Sequence, residues 1–227
     1  TAEDPGRVAE EISGKAAEDS GRAAAVSSGR EAGEPVLVLG SVGPTGKMIM
    51  MGEVSEEEVL EGFRLQARGL VKGGVDALLV ETMSDIQEAV LALQAARCES
   101  DLELICTFTF ERNVDGVYRT MMGAGVKEAV EAAMQQGADI VGANCGNGTA
   151  GMIDIVTEIR RHFPDVPVLV HANAGLPEYR DGMTVFPESP SEMSIQMKEL
   201  AARGASIIGG CCGTTPAHIT EIVRAIR

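Results

Sequence analysis

Tryptophan is absent from this 227-residue chain, and aromatic side chains make up only 3% of it. Burial therefore has to come from Val, Ile, Leu, Ala and Met, within a hydrophobic complement of 44% that is enough for a real core. Positive charge is also scarce, with 19 Lys and Arg against 34 Asp and Glu and a net charge of −15. That balance opposes contact with phosphate backbones and anionic lipid, so nucleic acid and membrane surfaces are set aside as partners. No apolar run approaches the ~20 residues of a membrane span, and the N-terminus lacks a basic-then-apolar leader pattern. The five cysteines are an odd number and follow no such leader. A cytoplasmic setting is the expectation, and there clustered thiols more often serve metal binding or catalysis than disulfides.

The length suits one large domain or two small ones. Residues 1–34 hold little that could pack: Val8, Ile12 and Val26 are their only sizeable apolar side chains. They are expected to form an N-terminal helical or partly mobile arm. From residue 35 to residue 227 the pattern is regular. Short apolar runs at Val36–Leu39, Ala77–Val80, Leu102–Phe108, Ile140–Val141, Val168–Val170 and Ile207–Ile208 read as buried strands. Helical patterns follow each of them. Ser55 with Glu58 and Ser84 with Gln87 read as capping boxes, Ser189-Pro190 and Thr215-Pro216 open two more helices, and Val126–Gln136 and Gly151–His162 complete the set. Six strand–helix units fit either a (β/α) barrel or an open doubly wound sheet.

An internal repeat favours the barrel. Gly74–Thr82 aligns without gaps with Gly137–Cys145 and again with Gly204–Cys212. These are alternate strands, and alternate strands share the interior layers of a barrel. The alignment equates Cys145 with Cys212, and Glu81 with Asn144 and Cys211. A carboxylate, an amide and three thiols are thereby expected at the C-terminal rim, where such barrels carry their chemistry.

The thiols suggest what that chemistry is. Cys145, Cys211 and Cys212 provide three ligands for a tetrahedral zinc site and leave one position free. Consecutive residues of a regular strand face opposite ways, so Cys211 and Cys212 can share one ion only where the backbone turns sharply. Gly209, Gly210 and Gly213 supply that freedom. Cys98 and Cys106 carry no such context and read as small buried hydrophobes.

Gly142-Ala143-Asn144-Cys145 and Gly209-Gly210-Cys211-Cys212-Gly213-Thr214-Thr215-Pro216-Ala217-His218-Ile219 resemble the motifs of the homocysteine S-methyltransferase family. Gly40-Ser41-Val42-Gly43-Pro44-Thr45-Gly46, Val80-Glu81-Thr82-Met83-Ser84-Asp85 and Ala172-Asn173-Ala174-Gly175-Leu176-Pro177 match it too. The resemblance runs from about Pro35 to Arg227 and implies an α/β fold, a (β/α)8 TIM-type barrel, with residues 35–227 as its homocysteine-binding domain. It implies Zn2+ on Cys145, Cys211 and Cys212, with homocysteine sulfur displacing a weak ligand such as Asn173. Glu81 is then expected to meet the substrate amino group, and Ser41 to line the amino-acid pocket. Two strands that open the family pattern, the first bearing an Asp-Gly-Ala/Gly-Met type motif, have no counterpart here. The chain reads as an incomplete barrel of about six β/α units, either a fragment or an open barrel completed by a partner or second copy.

The resemblance thus implies zinc-dependent methyl transfer to the homocysteine thiol, giving methionine, from a methyl-corrinoid, a methylated amine or a sulfonium compound. A corrinoid would arrive on a partner protein. The alternatives are a corrinoid-linked methyltransferase component with another donor or acceptor, and a non-catalytic zinc-binding barrel fragment. Gly40–Lys47 only superficially resembles a phosphate loop, because its glycine spacing is one residue too long and Met48 replaces the Ser or Thr. Lys47 reads as a surface or rim charge, and Met48, Met50, Met51, Met121 and Met122 as core or loop fillers. His171 reads as rim-lining or solvent-facing, His162 as a helix-end charge partner, and His218 as a residue at the start of the last helix, with a supporting place behind the cysteines as the alternative.

Overall fold

The computed structural model describes residues 36–227; the arm expected at residues 1–34 lies outside them. Six parallel strands form one curled sheet: β1 (Leu39–Val42), β2 (Ala77–Met83), β3 (Glu103–Phe108), β6 (Ile140–Gly148), β7 (Val168–Asn173) and β10 (Ile207–Gly210), adjacent in that order. Helices α1 (Glu56–Lys72), α2 (Ile86–Glu99), α3 (Val126–Gln135), α4 (Thr149–His162), α5 (Pro190–Ala202) and α6 (Pro216–Ile226) alternate with them. The result is a half-barrel of six β/α units, an incomplete TIM-type barrel.

The helices start where side chains satisfy their free N–H groups. Ser55 accepts from the Glu58 N–H while the Glu58 carboxylate returns to the Ser55 N–H, and Ser189 with Glu192 repeats this for α5. At α2 the cap is Asp85 rather than the expected Ser84. The Asp85 carboxylate, one residue nearer the helix, accepts from the Gln87 N–H at 2.8 Å.

The sequence repeat reappears as a repeated clamp. The third residue of each copy ties its strand to the preceding one through both backbone and side chain. Asp76, Asp139 and Ser206 donate their N–H groups to the carbonyls of Val38, Leu104 and Val168, each at 2.8 Å. Their side chains accept the N–H of those same residues, at 2.7, 2.9 and 3.3 Å. The clamp at Asp76 also fixes where β1 begins. Leu39 pairs with Ala77, so Val36–Val38 lie below the start of the neighbouring strand and are exposed; the strand expected at Val36–Leu39 is displaced toward the rim.

Side chains divide by the pleat. Leu78, Val80, Leu104, Cys106, Val141, Val168 and Val170 pack outward against the helices in the main core. Leu39, Ala77, Leu79, Ile105, Ile140 and Leu169 form a second, smaller cluster on the concave face. Continuing that parity toward the strand ends brings Ser41, Glu81, Asn144, His171, Asn173 and Cys211 onto the concave face at the C-terminal rim. Two hairpins, β4 (Glu111–Arg112) with β5 (Tyr118–Arg119) and β8 (Glu178–Arg180) with β9 (Met183–Val185), extend the loops after β3 and β7 and were not expected from the apolar pattern.

Candidate metal centre

Two strand ends leave regular geometry at the rim. Thr82 and Cys145, equivalent in the repeat, both adopt left-handed backbone with φ of 62° and 57°. Each coincides with a register shift against the next strand, between Val80 and Met83 in β2 and between Asn144 and Gly148 in β6. Such bulges re-aim a side chain at a strand end. In the third copy the turn falls one residue later, at Gly213 with φ 80°.

The three predicted thiols converge. Cys145 Sγ lies 3.7 Å from Cys212 Sγ, Cys211 Sγ lies 3.9 Å from Cys212 Sγ, and all three sulfurs are within 4.8 Å of one another. A tetrahedral zinc with bonds of ~2.3 Å needs sulfurs ~3.8 Å apart, so the spacing fits. The doublet is held from β7. Cys211 N–H donates to the Ala172 carbonyl at 2.8 Å, and the Cys212 carbonyl accepts from Ala174 at 3.0 Å. Asn173 Oδ1 accepts the Cys212 N–H at 3.2 Å. Thr214 closes the turn with its hydroxyl on the Cys211 carbonyl at 2.7 Å.

Charge in the cluster is unequal. The Cys145 thiol is pushed down to about 5, first by the Cys211 S–H, against burial, with help from the Gly146 N–H, Cys212 and Asn173. Cys211 is pushed up by its hydrogen bond with Cys145 and by burial, and Cys212 by burial and then by the Cys145 charge. One thiolate is favoured and further ones are resisted. A cation bound among them relieves that repulsion, so the donor set suits a metal ion.

Glu81 and Ser41 meet each other at the rim, with Ser41 Oγ donating to Glu81 Oε1 at 2.5 Å. Between this pair and the thiols stands Asn144, fully buried. Its Oδ1 accepts from the Thr82 N–H and the Thr107 hydroxyl, both at 2.7 Å. Its Nδ2 donates to Thr82 Oγ1 at 2.7 Å and to Glu81 Oε2 at 3.4 Å. His171 lies mostly buried on the concave face; burial lowers its pKa and Glu81 opposes that. His218 is the N3 residue of the α6 capping box: Nδ1 accepts from the Thr215 N–H at 3.1 Å and Nε2–H donates to the Glu188 carbonyl at 3.0 Å. Its polar atoms thus fix the helix that follows the cysteine loop. Cys106 is buried as expected, whereas Cys98, at the end of α2, is exposed rather than buried.

A cavity of about 420 Å³ opens beside Thr82 and Thr109, lined also by Pro44, Lys47, Met48 and Glu88. Met48, Met121 and Met122 all border it and are exposed, which corrects any core role for them. The sequence signal for Thr82 was its alignment with Cys145; Thr107 and Thr109 carried none, because their part depends on the register of β3 against β6. Among the described residues no helix is long and apolar enough to cross a membrane.

Known proteins resemble this arrangement. A family model described as homocysteine S-methyltransferase matches residues 4–226. Methionine synthase from Mycobacterium tuberculosis is 34% identical over 195 residues, covering 83% of this chain and 16% of that protein. Its Mycobacterium leprae counterpart is 33% identical over 193 residues with the same coverage. The chain thus spans about a sixth of the length of these curated relatives. In fold it is similar to the homocysteine methyltransferase MmuM from Escherichia coli. The apo form gives a TM-score of 0.66 at 20% identity, over 99% of this chain and 76% of that one. The metallated form gives 0.65 at 20% identity, over 96% and 69%.

Proposed function

The chain belongs to the homocysteine S-methyltransferase family, and from that membership we propose that it transfers a methyl group to the thiol of homocysteine, giving methionine. The observation that carries this reading is the convergence of Cys145, Cys211 and Cys212 beside a carboxylate on the same rim. These three cysteines would hold Zn2+, which when bound acidifies a substrate thiol and keeps it as the nucleophilic thiolate.

The chain's own residues supply orientation and charge. Glu81, held by Ser41 and Asn144, offers its carboxylate to the substrate ammonium. Asn173 holds the Cys212 backbone and faces Cys145, so it is placed to give way when the substrate sulfur arrives. The methyl donor is a methyl-corrinoid carried by a partner protein, a methylated amine or a sulfonium compound. In the transfer, a new carbon–sulfur bond forms to homocysteine while the methyl–donor bond breaks and its electron pair leaves with the donor. No general base at the methyl carbon is needed. A reducing cytoplasm, which keeps the thiols free, is the compartment we assign.

The test is methylation of homocysteine by the zinc-loaded chain, supplied in turn with each donor class. Cys145→Ala should abolish turnover and lower bound zinc from one equivalent while leaving the far-ultraviolet circular dichroism unchanged. Methylation of other thiols but not of homocysteine would contradict the acceptor assignment.

A further inference from the structure

We propose that Asn144 is a positioning residue that sets Glu81 at a fixed distance from the thiol cluster and thereby selects acceptors carrying an amino group. The inference rests on the reading of homocysteine as acceptor.

Three observations lead to it. First, the Asn144 amide is saturated: two acceptor and two donor positions are all used, in a residue with no exposed surface. Such a group is costly to bury and is retained in a fixed orientation. Second, three of its four bonds go to the Glu81–Thr82 segment, although that segment is on β2 and Asn144 on β6, with β3 between them. Asn144 grips Thr82 by both its N–H and its hydroxyl, so it holds the left-handed kink that directly follows Glu81. The fourth bond, from Thr107 on the intervening β3, braces the amide from the middle strand. Third, Asn144 directly precedes Cys145, and its own carbonyl is pinned by the Thr109 hydroxyl at 3.0 Å. One side chain therefore fixes the separation between the group expected to meet the ammonium and the first thiol ligand. The repeat gives the same position to Glu81, Asn144 and Cys211 in its three copies: carboxylate, strut and thiol form one ring at the rim.

Removing the amide should loosen Glu81 without releasing the cysteines, which are held by other bonds. Cys211 and Cys212 hang from β7, and the Cys145 turn keeps Gly146 and the Thr109 contact. Calorimetric titration of the zinc-loaded chain with homocysteine and with 4-mercaptobutanoate, the same thiol acid without its amino group, separates the two roles. We expect Asn144→Ala to weaken homocysteine ~10-fold, on the scale of one lost hydrogen-bonded contact, with zinc content unchanged and 4-mercaptobutanoate binding unaffected. Thr107→Val, which removes only the brace, should give a smaller loss of the same selectivity and covers the case in which Asn144→Ala does not fold. Equal weakening of both thiols, or loss of zinc in either variant, would show a merely structural amide and overturn the proposal. Wild-type protein that binds both thiols equally would instead overturn the homocysteine reading itself, and this role with it.

Discussion

At the scale of residues, the thiol cluster behaves as one shared charge. Cys145 ionises early because the Cys211 S–H and the Gly146 N–H face its sulfur, and its charge then keeps Cys211 and Cys212 protonated. The consequence for stability follows from linkage. A Cys145 pKa near 5 in the folded state, against ~8.5 unfolded, means that between these values the unfolded chain binds the extra proton. That contribution is present above pH ~8.5 and is lost as pH falls toward 5. The raised Cys211 and Cys212 act oppositely, and their contribution is lost as pH rises beyond ~8.5. Metal-free protein should therefore show a thermal midpoint that rises from pH 5 to about 8 and declines above it. Cys145→Ser should flatten the acid limb; an unchanged acid limb would place the charge elsewhere. The three cysteines were legible because glycine brackets and the repeat mark them in one dimension. Asn144 was legible as a repeat position but not as a strut, since its partners Thr82 and Thr107 become neighbours only through the parallel register of β2, β3 and β6.

At the scale of elements, the close approach of β6 to β7 is what brings Cys145 to the cysteine loop. Gly142 makes that approach possible: a Cβ there would lie 1.8 Å from the Leu169 carbonyl oxygen, a backbone atom that cannot step aside. Gly142→Ala should therefore separate the strands, costing about 3 kcal/mol of stability, the upper end of the usual overpacking range, and should lower zinc affinity although no ligand is touched. Chemical denaturation and metal titration of the variant check both halves; normal zinc affinity would mean that the β6–β7 spacing does not position the thiols. Helix starts were legible because caps are local; Asp85 replaces Ser84 by competition between adjacent residues for the same N–H groups, and α4 begins at Thr149, two residues before the expected Gly151. The hairpins escaped the apolar pattern because they bury little. A turn signal was nonetheless present, since Asp181-Gly182 adopts left-handed backbone at both residues, φ 49° and 81°, as a two-residue hairpin requires.

At the scale of the whole molecule, the six parallel strands curl without closing, leaving β1 and β10 as edges among the described residues. The repeat already pointed to this curl, because its three copies fall on alternate strands and each carries the same clamp at its start. What the pattern could not place was the lower end of β1, whose apolar Val36–Val38 face solvent instead of a neighbouring strand. The thiols, the Asn144 strut and the Ser41–Glu81 pair are, by contrast, joined to one another within the described residues. In the proposed reaction this rim uses the three cysteines to present the sulfur of homocysteine for methylation. X-ray absorption at the zinc edge, recorded before and after adding homocysteine, tests it most directly. Three sulfur neighbours from the protein are expected, rising to four with homocysteine, and three again when 4-hydroxy-2-aminobutanoate is added instead. A sulfur count that does not change with homocysteine would contradict it.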